Sequence, residues 1–309
     1  MAELPKPLNH TIAAIYADYE SKQANGYRNH LGASGIGASC DRAIWYSWRW
    51  TSKARHTGRL LRLFETGHMA EERFIHDLRR IGVTVMARDP DTGEQWTVRD
   101  DTGHFGGSMD AVAVGIIESP KKWHLCEFKT HNSKSFNALV RDGVEKAKPQ
   151  HWVQMQVYMH FSGLERAYYM AVNKDTDELY GERIRYNAEA ALRIVAKAHR
   201  IIASASPPSR ISNDASWYEC RFCDHKDKCH GSDIPERHCR SCLHSTPVAE
   251  GEWRCERHST ILSPENQRAG CAAHLYIPAL IPGEQIDAGE DWILYKMPDG
   301  EEWKDGISE

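Results

Sequence analysis

The sequence lacks the features that define several common classes of protein. No apolar run approaches the ~20 residues that span a bilayer, and the start, MAELPKPLNH, has neither the basic beginning nor the long apolar stretch of a signal peptide. The formal net charge is only -4, so overall charge gives no attraction to nucleic acid. There is no internal repeat and no GxxxxGK[ST] phosphate loop. These absences predict a cytoplasmic protein with no membrane partner and no helicase motor.

The number of cysteines in the sequence indicates what kind of site they form. A reducing cytoplasm disfavours a disulfide framework, so the nine cysteines favour metal binding. Seven of them lie between positions 220 and 271, after the segment SASPPSR at 204–210, which ends a helical pattern. We therefore predict a larger domain over 1–233 and a small cysteine-rich module over 234–309.

Apolar periodicity predicts the secondary structure of the larger domain. Helical patterns cover 8–25, the aromatic run AIWYSWRW, 57–81, 150–162 and 187–204. Strand patterns cover 83–88, 95–100, 103–117, 122–131, 167–175 and 178–186. This order predicts an α/β fold with a central mixed sheet flanked by helices. In the module, DWILYKMPDGEEW predicts a closing hairpin.

Two successive predicted strands carry Asp110 and the tripeptide Glu127-Phe128-Lys129. Side chains alternate across a strand, so Glu127 and Lys129 share one face while Phe128 points into the core. Paired strands would place Asp110 beside Glu127. Two carboxylates ~4 Å apart repel by roughly 4 kcal/mol at an effective dielectric near ~20, and a hard cation such as Mg²⁺ or Mn²⁺ removes that cost. The pattern predicts a phosphodiester-cleaving site, although an exposed strand face would show the same letters.

The order of these motifs resembles that of the RecB-like PD-(D/E)xK nucleases, which include lambda exonuclease, the AddAB helicase–nucleases and the CRISPR adaptation nucleases. Members carry Gly-x-x-Asp on one strand and Glu-x-Lys on the next, as in the segments 107–110 and 127–129. A Gln-x-x-x-Tyr on the following helix matches Gln154 and Tyr158, which share one helix face. The resemblance covers about 34–230 and implies a restriction-endonuclease-like fold. It implies the catalytic residues Asp110, Glu127, Lys129, Gln154 and Tyr158.

The segment Gly67-His68-Met69-Ala70-Glu71 resembles the helix motif of the same family, in which a His or Glu near the metal follows a Gly. The resemblance favours Glu71 as the ligand, with His68 as the alternative, and an exposed helix face remains open for both. Asp110, Glu127 and the backbone carbonyl of Phe128 complete the implied Mg²⁺ or Mn²⁺ ligands. Cys126 shares the core-facing side with Phe128, so we predict that it is a packed, inert thiol.

The first cysteine set consists of Cys220, Cys223 and Cys229, with Cys40 far upstream. Three clustered thiolates leave a tetrahedral site one ligand short, and base rates favour zinc for such a site. The iron–sulfur subgroup of the resembling family, which includes AddB-type and CRISPR adaptation nucleases, holds a [4Fe–4S] cluster with one N-terminal and three C-terminal cysteines. The resemblance therefore implies a cluster on Cys40, Cys220, Cys223 and Cys229. His225 and His230 are the alternatives to Cys40.

The second cysteine set consists of Cys239, Cys242, Cys255 and Cys271. It begins with a CxxC, and its spacing loosely resembles zinc patterns, although the last two cysteines form no second CxxC. The surrounding segment has too little apolar sequence to fold alone, so a metal is a reasonable staple. We predict a Zn²⁺ site with four cysteine ligands, with His244, His258 or His274 as alternative ligands.

The resemblance implies a metal-dependent deoxyribonuclease, an exonuclease that processes DNA ends or single strands in recombination, repair or phage replication. Its implied partners are DNA and recombination or replication proteins, and its location would be the host cytoplasm if a phage encodes it. Two alternatives stay open. One is a non-catalytic DNA-end-binding or scaffold protein with a nuclease-like fold, and the other is a regulator that responds to redox state through the cluster.

Overall fold

The computed structural model of the chain describes residues 9–23, 27–53 and 55–306. The α-helices are α1 (His10–Ser21), α2 (Asp41–Trp48), α3 (Gly58–Arg80), α4 (Ser133–Ala147), α5 (Pro149–Ser162), α6 (Ala188–Ala203), α7 (Tyr218–Arg221), α8 (Lys226–Cys229) and α9 (Pro264–Ala269). The strands are β1 (Leu31–Gly32), β2 (Thr84–Met86), β3 (Thr97–Arg99), β4 (Phe105–Ser108), β5 (Ala111–Val114), β6 (His124–His131), β7 (Arg166–Asn173), β8 (Leu179–Arg185), β9 (Ser245–Pro247), β10 (Trp253–Cys255), β11 (Thr260–Leu262), β12 (Glu284–Ala288), β13 (Trp292–Lys296) and β14 (Glu302–Gly306).

A five-stranded mixed sheet forms the centre of the fold, with strand order β2-β5-β6-β7-β8. Only β6 and β7 run parallel, and the other neighbours are antiparallel. The chain joins β6 to β7 through α4 and α5, because parallel neighbours need a long crossover connection. The predicted α/β architecture with a mixed sheet flanked by helices is confirmed.

The two faces of this sheet pack against different helices. One apolar cluster joins Phe74 and Leu78 of α3 to Cys126 and Phe128 of β6. The other cluster joins the opposite face to apolar residues of α2, α5 and α6, including Trp45, Val157 and Ile201. β6 is therefore covered on both sides, as a central strand in a mixed sheet must be.

Several predicted elements differ from the observed ones. The single strand expected over 103–117 is two strands in two sheets, because β4 pairs with β1 and β3 whereas β5 pairs with β2 and β6. The chain changes sheet at Met109, which is buried and whose N–H donates to the Trp96 carbonyl at 2.9 Å. Helix α4 has no counterpart among the helical patterns of the sequence. In α3, Leu63 and Phe64 stay exposed, although both are apolar positions of the helical pattern over 57–81.

The first helix is shorter than predicted. α1 begins after Asn9, whose side chain accepts the Ile12 N–H at 3.2 Å and so caps the helix. It ends at Ser21. Of the predicted range 8–25, residues 8, 24 and 25 lie outside the described residues.

The chain after position 234 forms two small antiparallel sheets, β11-β10-β9 and β12-β13-β14. β13 and β14 form the predicted closing hairpin. A small apolar cluster around Tyr276 and Tyr295 lies entirely within this C-terminal part of the chain. Trp253, Ile277 and Leu280 instead belong to the large cluster that covers the five-stranded sheet. The proposed division into 1–233 and 234–309 stays a prediction, and the two parts share buried surface.

Helix α2 and the residue that follows it make hydrogen bonds to several segments far along the chain. Arg42 donates to the Pro208 carbonyl at 2.9 Å, and the Trp45 indole donates to the Ser204 carbonyl at 2.9 Å. Ser47 Oγ lies 2.9 Å from His225 Nε2, and Arg49, just after the helix, donates to the Ser245 carbonyl at 3.1 Å. One short helix thus gathers segments that follow it by more than 150 positions.

In the ranges given above, no helix is both long and apolar enough to cross a lipid bilayer.

Candidate functional site

The pairing of β5 with β6 brings Asp110 to Glu127. Ala111 lies opposite Cys126 in the antiparallel register, so Asp110 reaches the next position along. Its Oδ2 accepts the backbone N–H of Phe128 at 2.8 Å, which fixes the carboxylate beside the strand. Cys126 and Phe128 are fully buried on the other face, as the alternation of β6 predicted.

Lys129 lies between the two carboxylates. Its Nζ is 2.5 Å from Glu127 Oε1 and 3.8 Å from Asp110 Oδ2. It also donates to the Phe128 carbonyl at 3.0 Å, so this predicted metal ligand already faces the site. Burial lowers the pKa of Lys129, but the charges of Glu127 and Asp110 outweigh burial and raise the pKa above its ordinary value. The lysine is therefore held as an ammonium.

Glu127 is a completely buried carboxylate. Burial raises its pKa to about 7, against the opposing effect of Lys129. Lys129 Nζ lies at hydrogen-bond distance from Oε1, whereas Oε2 has no hydrogen-bond partner within the described ranges. A buried anion with unused lone pairs is costly in a stable fold, and a cation would satisfy it. This buried carboxylate, with one oxygen left without a hydrogen bond, is the observation that fits a bound divalent cation.

The helix motif of α3 contributes Glu71 to the same place. Glu71 is half-buried, and burial followed by the charge of Asp110 raises its pKa. His68 is exposed and acts on Glu71 electrostatically. Glu71 thus lies within electrostatic reach of Asp110 and Lys129, and His68 stays exposed on the same helix.

Gln154 and Tyr158 are both buried on α5, on the face that meets the site. Gln154 Nε2 donates to the Tyr158 hydroxyl at 3.2 Å. Burial raises the pKa of Tyr158, and the charge of Glu127 adds to the effect, so the phenol stays protonated. A Cβ built on Gly107 would lie 2.6 Å from this hydroxyl. The Gly of the Gly-x-x-Asp segment therefore makes room for the Tyr of the Gln-x-x-x-Tyr segment.

A polar group that the sequence analysis did not identify lies beside Lys129. His131 Nε2 and His151 Nδ1 each lie 2.9 Å from the hydroxyl of Tyr169. Burial, and then nearby lysines, lowers the pKa of His131 to about 4 and that of His151 to about 3, so both rings are neutral at pH 7. The sequence contains a pattern that predicts this position for His131, because residues 127, 129 and 131 alternate along β6 and therefore lie on one face of the strand.

The first cysteine set converges on one small cavity of about 30 Å³, lined by Cys40, Cys220, Cys223 and Cys229. Cys40 occupies the N-cap of α2, and Cys229 ends α8. Burial raises the pKa of the Cys220 thiol, and the sulfurs of Cys229 and Cys40 raise it further. The His225 N–H donates to Cys223 Sγ at 3.4 Å. The alternative ligands His225 and His230 line the same cavity.

The second cysteine set lines another pocket, formed by Cys239, Cys242, Cys255 and Cys271 together with His244, His258 and His274. Burial, followed by the charges of the other three sulfurs, raises the pKa of the Cys239 thiol to about 12. Within the part of the chain that the structure describes, no three His, Cys, Asp or Glu side chains stand in metal-coordinating geometry. Metal binding at any of these places therefore requires the side chains to close around the ion.

Comparison with known proteins gives partial likenesses only. No protein-family model matches the chain, and no curated protein matches it. The crystal structure of an alkaline exonuclease, LHK-Exo, from Laribacter hongkongensis is similar over 60% of this chain and 91% of that one, with 18% identity and a TM-score of 0.43. That of a phage-related exonuclease from Haemophilus somnus 129PT is similar over 45% of this chain and 68% of that one, with 16% identity and a TM-score of 0.34. At this level the likenesses assign no family and no activity to the chain.

Proposed function

We propose that this chain is a divalent-metal-dependent deoxyribonuclease, an exonuclease that processes DNA ends or single strands in recombination, repair or phage replication. The observation that carries the proposal is the buried carboxylate of Glu127, which has one oxygen without a hydrogen bond and lies beside Asp110 and Lys129. Few structural roles require an acidic pair and a lysine to share one buried place, and such clustering of perturbed groups is typical of functional sites.

In this proposal, Asp110, Glu127 and the Phe128 carbonyl hold Mg²⁺ or Mn²⁺, with Glu71 as a further ligand. The ion would orient the phosphodiester, stabilise its developing charge and lower the pKa of an attacking water. Lys129, kept as an ammonium by the carboxylates, would neutralise charge on the phosphate oxygens. Tyr158 and Gln154 would donate hydrogen bonds to the DNA backbone from the adjoining helix face.

A cleavage assay on end-labelled single- and double-stranded DNA with Mg²⁺ or Mn²⁺ tests this function. Wild-type protein should shorten the labelled strands, and Lys129→Ala should lose at least about 100-fold in rate while keeping its fold by circular dichroism. The matched control is Lys134→Ala, which removes an exposed lysine of α4 and should cleave at the wild-type rate. Absence of cleavage by the wild type, with DNA still bound, would favour the non-catalytic end-binding protein. Wild-type rates in Lys129→Ala would remove the proposed catalytic set.

We further propose that the first cysteine set holds a [4Fe–4S] cluster on Cys40, Cys220, Cys223 and Cys229. The support is the cavity that the four cysteines line and the His225 N–H that donates to Cys223 Sγ, which acts against the larger effect of burial in raising the pKa of that thiol. The cluster would tie α2 to the chain after 210 and so support the nuclease domain from outside the reaction site.

Iron and sulfide content of protein purified without oxygen tests the cluster. Wild-type protein should be brown, with about four iron and four sulfide per chain. Cys40→Ala should lose the iron, whereas Cys126→Ala deletes the same atom from a buried thiol outside the cavity and should keep it. Equal iron in the two variants would leave Cys40 out of the ligand set and point to His225 or His230 instead.

A further inference from the structure

The second cysteine set lies outside the proposed nuclease site and has no part in that reaction. Its members come from separate elements. Cys239 and Cys242 flank one tight 3₁₀ turn, Cys255 ends β10, and Cys271 follows Gly270 at the end of α9. Segments up to 32 positions apart thus direct four thiols to one pocket, three of them buried.

The backbone around these thiols resembles that around the first set. Burial raises the pKa of the Cys242 thiol, and the backbone N–H groups of His244 and Leu275 act against it, while the His225 N–H donates to Cys223 Sγ at 3.4 Å. Amide donors aimed at a sulfur favour its ionised form, which is the form that binds a metal. Four thiolates in one pocket are mutually repulsive unless a cation joins them, and a soft, tetrahedral sulfur set favours Zn²⁺ over Mg²⁺ or Mn²⁺.

The turn between Cys239 and Cys242 carries an arginine into the interior. Arg240 is 1% exposed, and its guanidinium carbon lies 3.8 Å from the ring centroid of Trp50, 4.9 Å from that of Trp48 and 4.6 Å from that of Trp253. It donates to the carbonyls of Asn29 at 2.8 Å and Trp48 at 3.2 Å. We call this arrangement the tryptophan cage.

The cage joins the two halves of the chain. Trp48 ends α2, and Trp253 begins β10, the strand that ends at Cys255. A buried guanidinium held by neutral carbonyls and rings is stable only when its backbone is fixed, because a small displacement would leave the charge unpaired. The two cysteines that bracket Arg240 are the chain positions that a metal would fix.

We propose that Cys239, Cys242, Cys255 and Cys271 bind one Zn²⁺ and that this ion holds Arg240 in the tryptophan cage. The ion is structural. It replaces the large apolar core that the small C-terminal sheets lack, and through the cage it secures α2.

Metal analysis of the full-length protein tests the site. Wild-type protein should carry about one zinc per chain, and Cys255→Ala should reduce it to background, while Cys126→Ala keeps it. Because Cys255 is buried and its variant can misfold, Cys271→Ala is the second test. Cys271 is exposed, so its loss opens no core cavity, and it should also abolish zinc binding. Zinc retained in both variants would overturn the site, as would iron in place of zinc.

Zinc analysis of further variants shows which cysteine set holds the ion and how many cysteines bind it. Cys40→Ala should keep its zinc, whereas zinc lost in Cys40→Ala and kept in Cys255→Ala would assign the ion to the first set. His258→Ala should keep its zinc as well, although His258 Nε2 lies 3.9 Å from Cys271 Sγ. Loss of zinc in His258→Ala, with retention in Cys271→Ala, would overturn the four-cysteine set. None of these readouts depends on nuclease activity.

The role of the ion in seating Arg240 has its own measurement. Zinc released from wild-type protein by a mercurial reagent should shift tryptophan emission to longer wavelength, because Trp48, Trp50 and Trp253 then contact water. Release of a full equivalent of zinc with unchanged emission would show that the cage stands without the metal.

Discussion

Replacing Glu127 with Gln tests whether the buried carboxylate lowers the free energy of unfolding of the metal-free protein. Burial raises the pKa of Glu127 from its ordinary 4.5 to about 7. Ionising it inside the protein above pH 7 therefore costs about 3 kcal/mol, since a tenfold change in proton affinity is worth about 1.4 kcal/mol. Gln has the shape of the protonated acid and no charge to bury, and Lys129 keeps Asp110 as a partner 3.8 Å away.

The expected difference depends on pH in a defined way. Below pH 4.5 the Glu127 carboxyl group is protonated in both the folded and the unfolded chain, so Glu127→Gln is no more stable than the wild type. Between 4.5 and about 7 only the unfolded chain is largely ionised, and the wild type loses stability relative to the variant. Glu127→Gln should thus exceed the wild type by less than about 1 kcal/mol at pH 5 and by about 3 kcal/mol at pH 8.5.

Urea unfolding without Mg²⁺ or Mn²⁺, at several pH values between 5 and 8.5, measures this difference. Glu118→Gln is the matched control, because Glu118 is exposed and the same substitution there should change stability little at either pH. Added Mg²⁺ should stabilise the wild type and not Glu127→Gln, since ligand binding to the native state adds to its stability. An advantage of the variant that does not grow with pH would refute the reasoning.

Three further changes test other contacts. Glu71→Gln should weaken the Mn²⁺ affinity measured by calorimetry by about 10-fold or more, while His68→Gln leaves it within about twofold, and equal losses would contradict the placement of Glu71. Gly107→Ala should lower cleavage and cost about 1–3 kcal/mol in urea unfolding, because its methyl group displaces Tyr158, and Gly107→Ala with normal rates would show that the tyrosine has room to move. Arg240→Ala should cost about 3–5 kcal/mol by the same assay, since it empties the cage and leaves carbonyls unpaired, and a loss below about 1 kcal/mol would contradict that role.

The alternation of β6 made the site accessible to sequence reasoning. Charged residues are uncommon in a strand that is buried on both faces. Glu127 and Lys129 are therefore conspicuous among Leu125, Cys126 and Phe128. The long helices and the strand pair β7 and β8 were also predictable, because each repeats one local pattern for several residues. The same rule extends to His131, which we did not connect to the site.

Other features depend on contacts that a local pattern does not contain. The break at Met109 follows from which strands are available for pairing, and α4 contains Gly143 at a φ of 73°, which interrupts its helical repeat. Leu63 and Phe64 have helical spacing but stay exposed, and the His56 ring meets Phe64 edge-on with 5.1 Å between ring centroids. Arg240 would be expected on the surface, and only the folded chain brings three indoles and several carbonyls around it.

The contacts of α2 also have a consequence for how the protein is made. Synthesis proceeds at roughly 5–20 residues per second, so this helix leaves the ribosome about 10–40 seconds before residues 204–245 exist. During that interval Trp45 and Trp48 have no partners from the later chain, and their burial must wait for it. Contacts between residues so far apart in the sequence form slowly, because the entropy cost of closing the loop comes before any stabilising contact is made. A nascent chain halted before position 204 would therefore expose these indoles and be a target for chaperones and proteases.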